Sequence, residues 1–179
     1  MKNHKKLLRM VLAALFLALA YVMPFLMGQI PEIGSMLCPM HLPILLCGFI
    51  CGWPWGMIVG LIAPVFRSLL TGGFPPMFPT AVCMAVELAV YGGTSGLMHK
   101  ILPRKKLFIY CSLVTAMIAG RAAWGAAMFL CLGANGGFSF AAFLAGAFTN
   151  AIPGIIVQLI LVPILVILIE NSKILKLRN

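Results

Sequence analysis

The chain has 179 residues, of which 63% are hydrophobic and only 9% charged, with a formal net charge of +10 and a mean hydropathy of +1.10. A water-soluble domain carries about 25% charged residues, so water is excluded as the main solvent. The length suits one domain, residues 1–179, built as an all-α bundle of membrane-spanning helices.

Apolar runs and their punctuation predict six spans. The first covers about 7–27. It is expected to stay in the protein rather than act as a cleaved signal, because further hydrophobic spans fill the chain. The polar stretch "GQIPEIGSM" follows it. A second, short span covers about 39–52, and "GWPWG" turns it into a third over 54–70. The loop "TGGFPPMF" is rich in Gly and Pro and is expected to be irregular. A fourth span opens at Pro79, where proline suits a first helical turn, and ends near His99. After the basic turn "LPRKK" comes a fifth span over 107–131, and after "LGANGGFS" a sixth over 140–170. The sixth is long enough to cross with tilt, and Pro153 and Pro163 are candidate kinks.

The cations set the orientation. Lys2, Lys5, Lys6 and Arg9 precede the first span; Lys100, Arg104, Lys105 and Lys106 separate the fourth and fifth; Lys173, Lys176 and Arg178 follow the sixth. These account for all but two of the 13 basic residues. All lie on one side of a six-span chain, so the positive-inside rule places both termini in the cytoplasm. The protein is thus expected to be a multi-pass protein of a bacterial cytoplasmic membrane. Its positive charge reflects topology and attraction to anionic lipid, and calls for no nucleic acid partner.

The two remaining cations, Arg67 and Arg121, lie within the third and fifth spans, and Glu87 within the fourth. Each such group costs at least ~2.5–3.5 kcal/mol at a helix centre, and so faces a partner or a wet cavity. Glu87 is ~12 Å below the outer start of its helix, and Arg121 and Asn150 are ~15 Å down theirs, at 1.5 Å per residue. Arg67 and His41 are expected higher on the same side. The polar groups of five helices therefore gather in the outer half of the membrane. Two readings follow. An Arg121–Glu87 ion pair could simply pin two helices together. Alternatively, the cluster is a substrate pocket open to the outside. The second is favoured by two arginines for one carboxylate, and by Trp124 and Tyr91, which share helix faces with Arg121 and Glu87. Gln158 either continues the polar ridge or bonds to a neighbouring helix.

Small residues mark packing seams. "GFICG", "GMIVG" and "GGTSG" each hold Gly-x-x-x-Gly, and Ala14 and Ala18 form a small-residue stripe in the first span. The six cysteines contain no Cys-x-x-Cys pair and read as small apolar packers. Walker A, Gly-x-Ser-x-Gly and His-Glu-x-x-His motifs are absent, so no enzymatic activity, cofactor or metal site is expected. Asp does not occur in the chain.

Basic ends, six spans, the Ala14/Ala18 stripe and the segment "CPMHLPILLCGFICGWPWGMIVGLIAPVFRSLLTGGFPPMFPTAVCMAVELAVYGGTSGL" resemble the substrate-binding S components of energy-coupling factor (ECF) vitamin transporters. The likeness is to the broad branch that includes pantothenate and pyridoxine-type carriers. The resemblance implies a subunit that captures a micronutrient from outside. It also implies docking, through Ala14 and Ala18, on a coupling transmembrane subunit driven by two cytoplasmic ATPases. It implies no shared binding motif, so Glu87, Arg121, Asn150, Arg67, His41, Trp124 and Tyr91 stand as site candidates on their depth alone. Two other classes stay open: a self-sufficient secondary transporter, for which no internal repeat is visible, and an intramembrane enzyme using Glu87 and His41 as acid and base, which nothing in the sequence requires to touch.

Overall fold

A computed structural model of the chain describes residues 2–26, 38–103, 105–133, 139–147 and 151–171. Among them are seven α-helices and no strand: α1 Lys2–Leu26, α2 His41–Cys51, α3 Trp53–Leu70, α4 Val82–Ile101, α5 Lys106–Leu132, α6 Phe140–Ala147 and α7 Ile152–Asn171. A π-helical turn, Met77–Ala81, leads into α4. Regular α-helix therefore begins at Val82 and not at Pro79, which sits inside the π turn. Pro79 contributes no amide hydrogen, and the turn closes instead through the Ala81 amide, which donates to the Pro76 carbonyl at 2.9 Å.

Five stretches are long and apolar enough to cross a membrane: Lys6–Phe25, Trp53–Leu70, Met77–Ile101, Lys106–Leu132 and Ile152–Glu170. They make an all-α membrane bundle. Their outward faces carry Leu15, Leu69, Ile118 and Leu168, all well exposed, as expected where lipid replaces water. Two of the expected spans differ. Among the described residues the sixth comprises two helices, α6 of 8 residues and α7 from Ile152 with Pro153 in its first turn. The second span is 11 residues long, ~16 Å at 1.5 Å per residue, about half of the ~30 Å hydrocarbon core.

Helix ends show how neighbours run. Arg9 of α1, Cys51 at the end of α2, Trp53 at the start of α3 and Lys100 near the end of α4 all border one cavity. His99 of α4 meets Glu170 of α7 at 2.9 Å. At the other end, Cys83 near the start of α4 lies 3.8 Å from Cys131 near the end of α5. From α1 to α5 the helices therefore alternate in direction, α7 ends on the side where α4 ends, and Arg9 and Lys100 share that side. Every residue of α2 is buried, so a half-length helix is tolerated: its free backbone ends meet protein instead of lipid.

Glycines let these helices approach. A Cβ on Gly56 or on Gly92 would collide with the other residue's backbone, and one on Gly60 with the backbone of Leu88. The seam between α3 and α4 is thus a backbone-to-backbone contact that only glycine allows. Gly93, one residue on, would place a Cβ at 3.6 Å from the Met57 sulfur, an ordinary contact. Gly92→Val is therefore expected to lower detergent-state stability by ~1–3 kcal/mol, the usual range for overpacking, while Gly93→Ala leaves it unchanged. Thermal melts of the two variants check this; equal melting temperatures would mean that the seam is looser than described. On α1, Ala13, Phe16 and Ala20 are buried while Ala14 and Ala18 are exposed beside Leu15 and Leu19. The small-residue stripe accordingly faces outward, away from its own bundle.

Candidate functional site

The site is built on α4 and α5, with α2 ending against it. Glu87 stands five residues into α4, and Tyr91 follows one turn later on the same face. Arg121 lies ~16 Å below the end of α5 at 1.5 Å per residue. Gly120 precedes it and clears room for the Tyr91 ring, which a Cβ there would strike. Because α2 starts inside the bundle, its first residue, His41, arrives at the same depth. The His41 amide donates to the Cys38 carbonyl at 3.0 Å, and Cys38 itself adopts φ 48, an uncommon conformation for a residue with a side chain. That turn carries the chain into α2 directly over Arg121.

Five side chains converge. Arg121 Nη1 lies 2.9 Å from Glu87 Oε1, and His41 Nε2 lies 3.4 Å from the same oxygen. The His41 ring packs edge-on against Tyr91, with centroids 5.1 Å apart and planes at 89°. Arg121 Nη2 donates to Cys38 Sγ at 3.6 Å. Glu87 is 2% exposed, His41 3%, Tyr91 0% and Arg121 7%, so the pair is taken almost wholly out of solvent. At such burial the attraction between opposite charges is strong, but so is the cost of desolvating each.

The cluster is not saturated by its own contacts. The two ion-pair distances lack hydrogen-bond alignment. His41 Nδ1, the Tyr91 hydroxyl and Arg121 Nε are buried and have no hydrogen-bond partner among the described residues. A buried polar atom left unpaired costs ~1–3 kcal/mol. Several around one point exceed what a purely structural ion pair needs to leave open, and they are the groups with which a polar ligand could bond.

Some expected members lie elsewhere. Arg67, in the last turn of α3, is buried, but its guanidinium sits 5.7 Å from the Phe74 ring centroid, and no carboxylate among the described residues is in ion-pair range of it. Its own carbonyl accepts from the amide and the hydroxyl of Thr71, at 2.9 and 2.7 Å. It therefore helps close α3 and does not meet Glu87. Trp124 stacks on Phe143 of α6, centroids 6.2 Å apart and planes at 25°, and its ring also covers Gly146. It ties α5 to α6 one turn outward from Arg121. Asn150 lies outside the described residues. Gln158 of α7 is 2% exposed, with both amide atoms lacking a partner among the described residues. In the other direction, Cys38 belongs to the site although the sequence offered no sign of it: only its contact with Arg121 and its turn mark it.

No curated protein and no solved structure matches the chain. The model of the family "ECF transporter, substrate-specific component" matches residues 8–166, nearly the whole chain. A bundle of apolar helices matched by that model over this range is a transporter subunit and not a member of an enzyme family: the chain belongs to the ECF transporter substrate-specific component family.

Proposed function

We propose that the chain is the high-affinity capture subunit for a water-soluble vitamin, with pantothenate the first candidate, and that Glu87, Arg121, His41 and Tyr91 bind it. The observation that carries this reading is the convergence of buried, incompletely bonded polar groups on Glu87 from α2, α4 and α5. Arg121 supplies a planar donor set for a carboxylate, and Glu87 and His41 supply acceptors for hydroxyl or amide groups. Pantothenate carries all three kinds of group. Arg67 stands apart, so the expected spare cation is missing from the cluster, and the proposal of an anionic ligand rests on the Arg121 Nε that has no partner among the described residues. Trp124, one turn outward from Arg121, completes the proposed lining on the outer side. Because the four central groups are nearly inaccessible, entry requires covering side chains to move, and the closed arrangement then shields the ligand from water.

Uptake on this reading borrows its energy. The exposed Ala14 and Ala18 form the surface on which a coupling transmembrane subunit docks, driven by two cytoplasmic ATPases. Native mass spectrometry of the purified chain tests the capture role. A bound water-soluble vitamin that is released by Glu87→Gln supports it. Uptake by vesicles containing the chain alone, driven by an ion gradient, would instead establish a self-sufficient secondary transporter.

A further inference from the structure

The cavity at the basic end, of about 330 Å³, belongs to none of the machinery above. Arg9 of α1 and Lys100 of α4 line it, with the indoles of Trp53 and Trp55 and the ring of His99. His99 is held by Glu170 at 2.9 Å, and that carboxylate is not among the lining residues. No side chain caps the first turn of α3, which also borders the cavity, so the positive end of that helix adds to the two cations. The cavity walls therefore combine two cations from different helices with no carboxylate among the described lining residues.

We propose that this cavity binds a phosphate group, carried by an anionic phospholipid of the surrounding membrane or present as free inorganic phosphate. A basic pocket between transmembrane helices at the lysine-rich face has the chemistry that lipid headgroups select. Trp53, 40% exposed, stands where tryptophan settles at a membrane surface. Arg9 offers a forked donor set for two phosphate oxygens, and Lys100 a point charge. Lys105 and Lys106, on the same side, are exposed and lie outside the cavity. They attract anionic lipid only diffusely.

The test uses the full chain, delipidated in neutral detergent, and follows melting temperature and native mass spectra. Phosphatidylglycerol, phosphatidylcholine and inorganic phosphate are titrated separately. Phosphatidylglycerol is expected to stay bound and raise the melting temperature, with phosphatidylcholine doing neither. If inorganic phosphate reproduces the rise, the source is free phosphate; if it does not, the source is lipid. In either case Arg9→Gln/Lys100→Gln should weaken the apparent affinity by at least ~10-fold, while Lys105→Gln/Lys106→Gln, which removes the same charge outside the cavity, leaves it unchanged. Lys100→Gln alone, at an exposed position, keeps the test valid if the double variant does not fold. Equal responses to the two lipids, equal losses in both double variants, or no loss in Arg9→Gln/Lys100→Gln would overturn the proposal.

Discussion

Arg121→Met is expected to abolish vitamin capture and to destabilise the bundle, because it leaves Glu87 as an uncompensated charge that is 2% exposed. Breaking a buried pair by removing one partner costs ~3–5 kcal/mol. Glu87→Gln keeps shape and removes charge, leaving Arg121 with its contact to Cys38, so its effect on stability should be milder. Each variant should weaken binding of pantothenate, or of whichever vitamin survives purification, by at least ~10-fold, about 1.4 kcal/mol. The combined variant separates the two roles. With both charges gone, much of the stability should return, since nothing charged is left buried and unpaired. Binding should not return, because the groups that meet the ligand are missing. Calorimetry and thermal melts on the same preparations measure both. If the combined variant recovers stability and binds normally, the Glu87–Arg121 pair only pins α4 to α5.

Ala14→Trp/Ala18→Trp is expected to stop uptake by the assembled transporter while the isolated subunit still binds its vitamin. Both alanines are exposed, on the face of α1 opposite the buried Ala13, Phe16 and Ala20, so the new side chains find space in the lone chain. Between two closely approaching helices they do not. Overpacking costs ~1–3 kcal/mol for each bulky side chain, and two should weaken docking by at least ~30-fold. Binding to the purified subunit, co-purification with the coupling module and vitamin uptake read the three steps apart. Normal uptake would place the docking surface elsewhere on the bundle.

The reach of the sequence and its limits have one physical cause. Solvent and most of the spans were legible because hydropathy acts residue by residue: a 63% hydrophobic composition excludes water as main solvent. The depths of Glu87 and Arg121 followed from helix rise alone, which is why their meeting at 2.9 Å could be anticipated. The same arithmetic placed His41 too high. It counted from the membrane surface, whereas α2 begins inside the bundle, beside Arg121, and so brings His41 to within 3.4 Å of Glu87. A helix can start at that depth only where other helices cover its ends, a condition no local pattern records. Arg67 and Trp124 show the same limit. Their helix and height were readable, but the neighbour each one faces, Phe74 and Phe143, is set by how the helices rotate and pack. Glycine seams such as Gly56 against Gly92 decide that rotation. The sequence by itself determined which segments are apolar enough to cross a membrane and that Arg67, Glu87 and Arg121 fall within them. Only the tertiary structure decided which of them touch, because contact depends on the pairing of faces from distant segments.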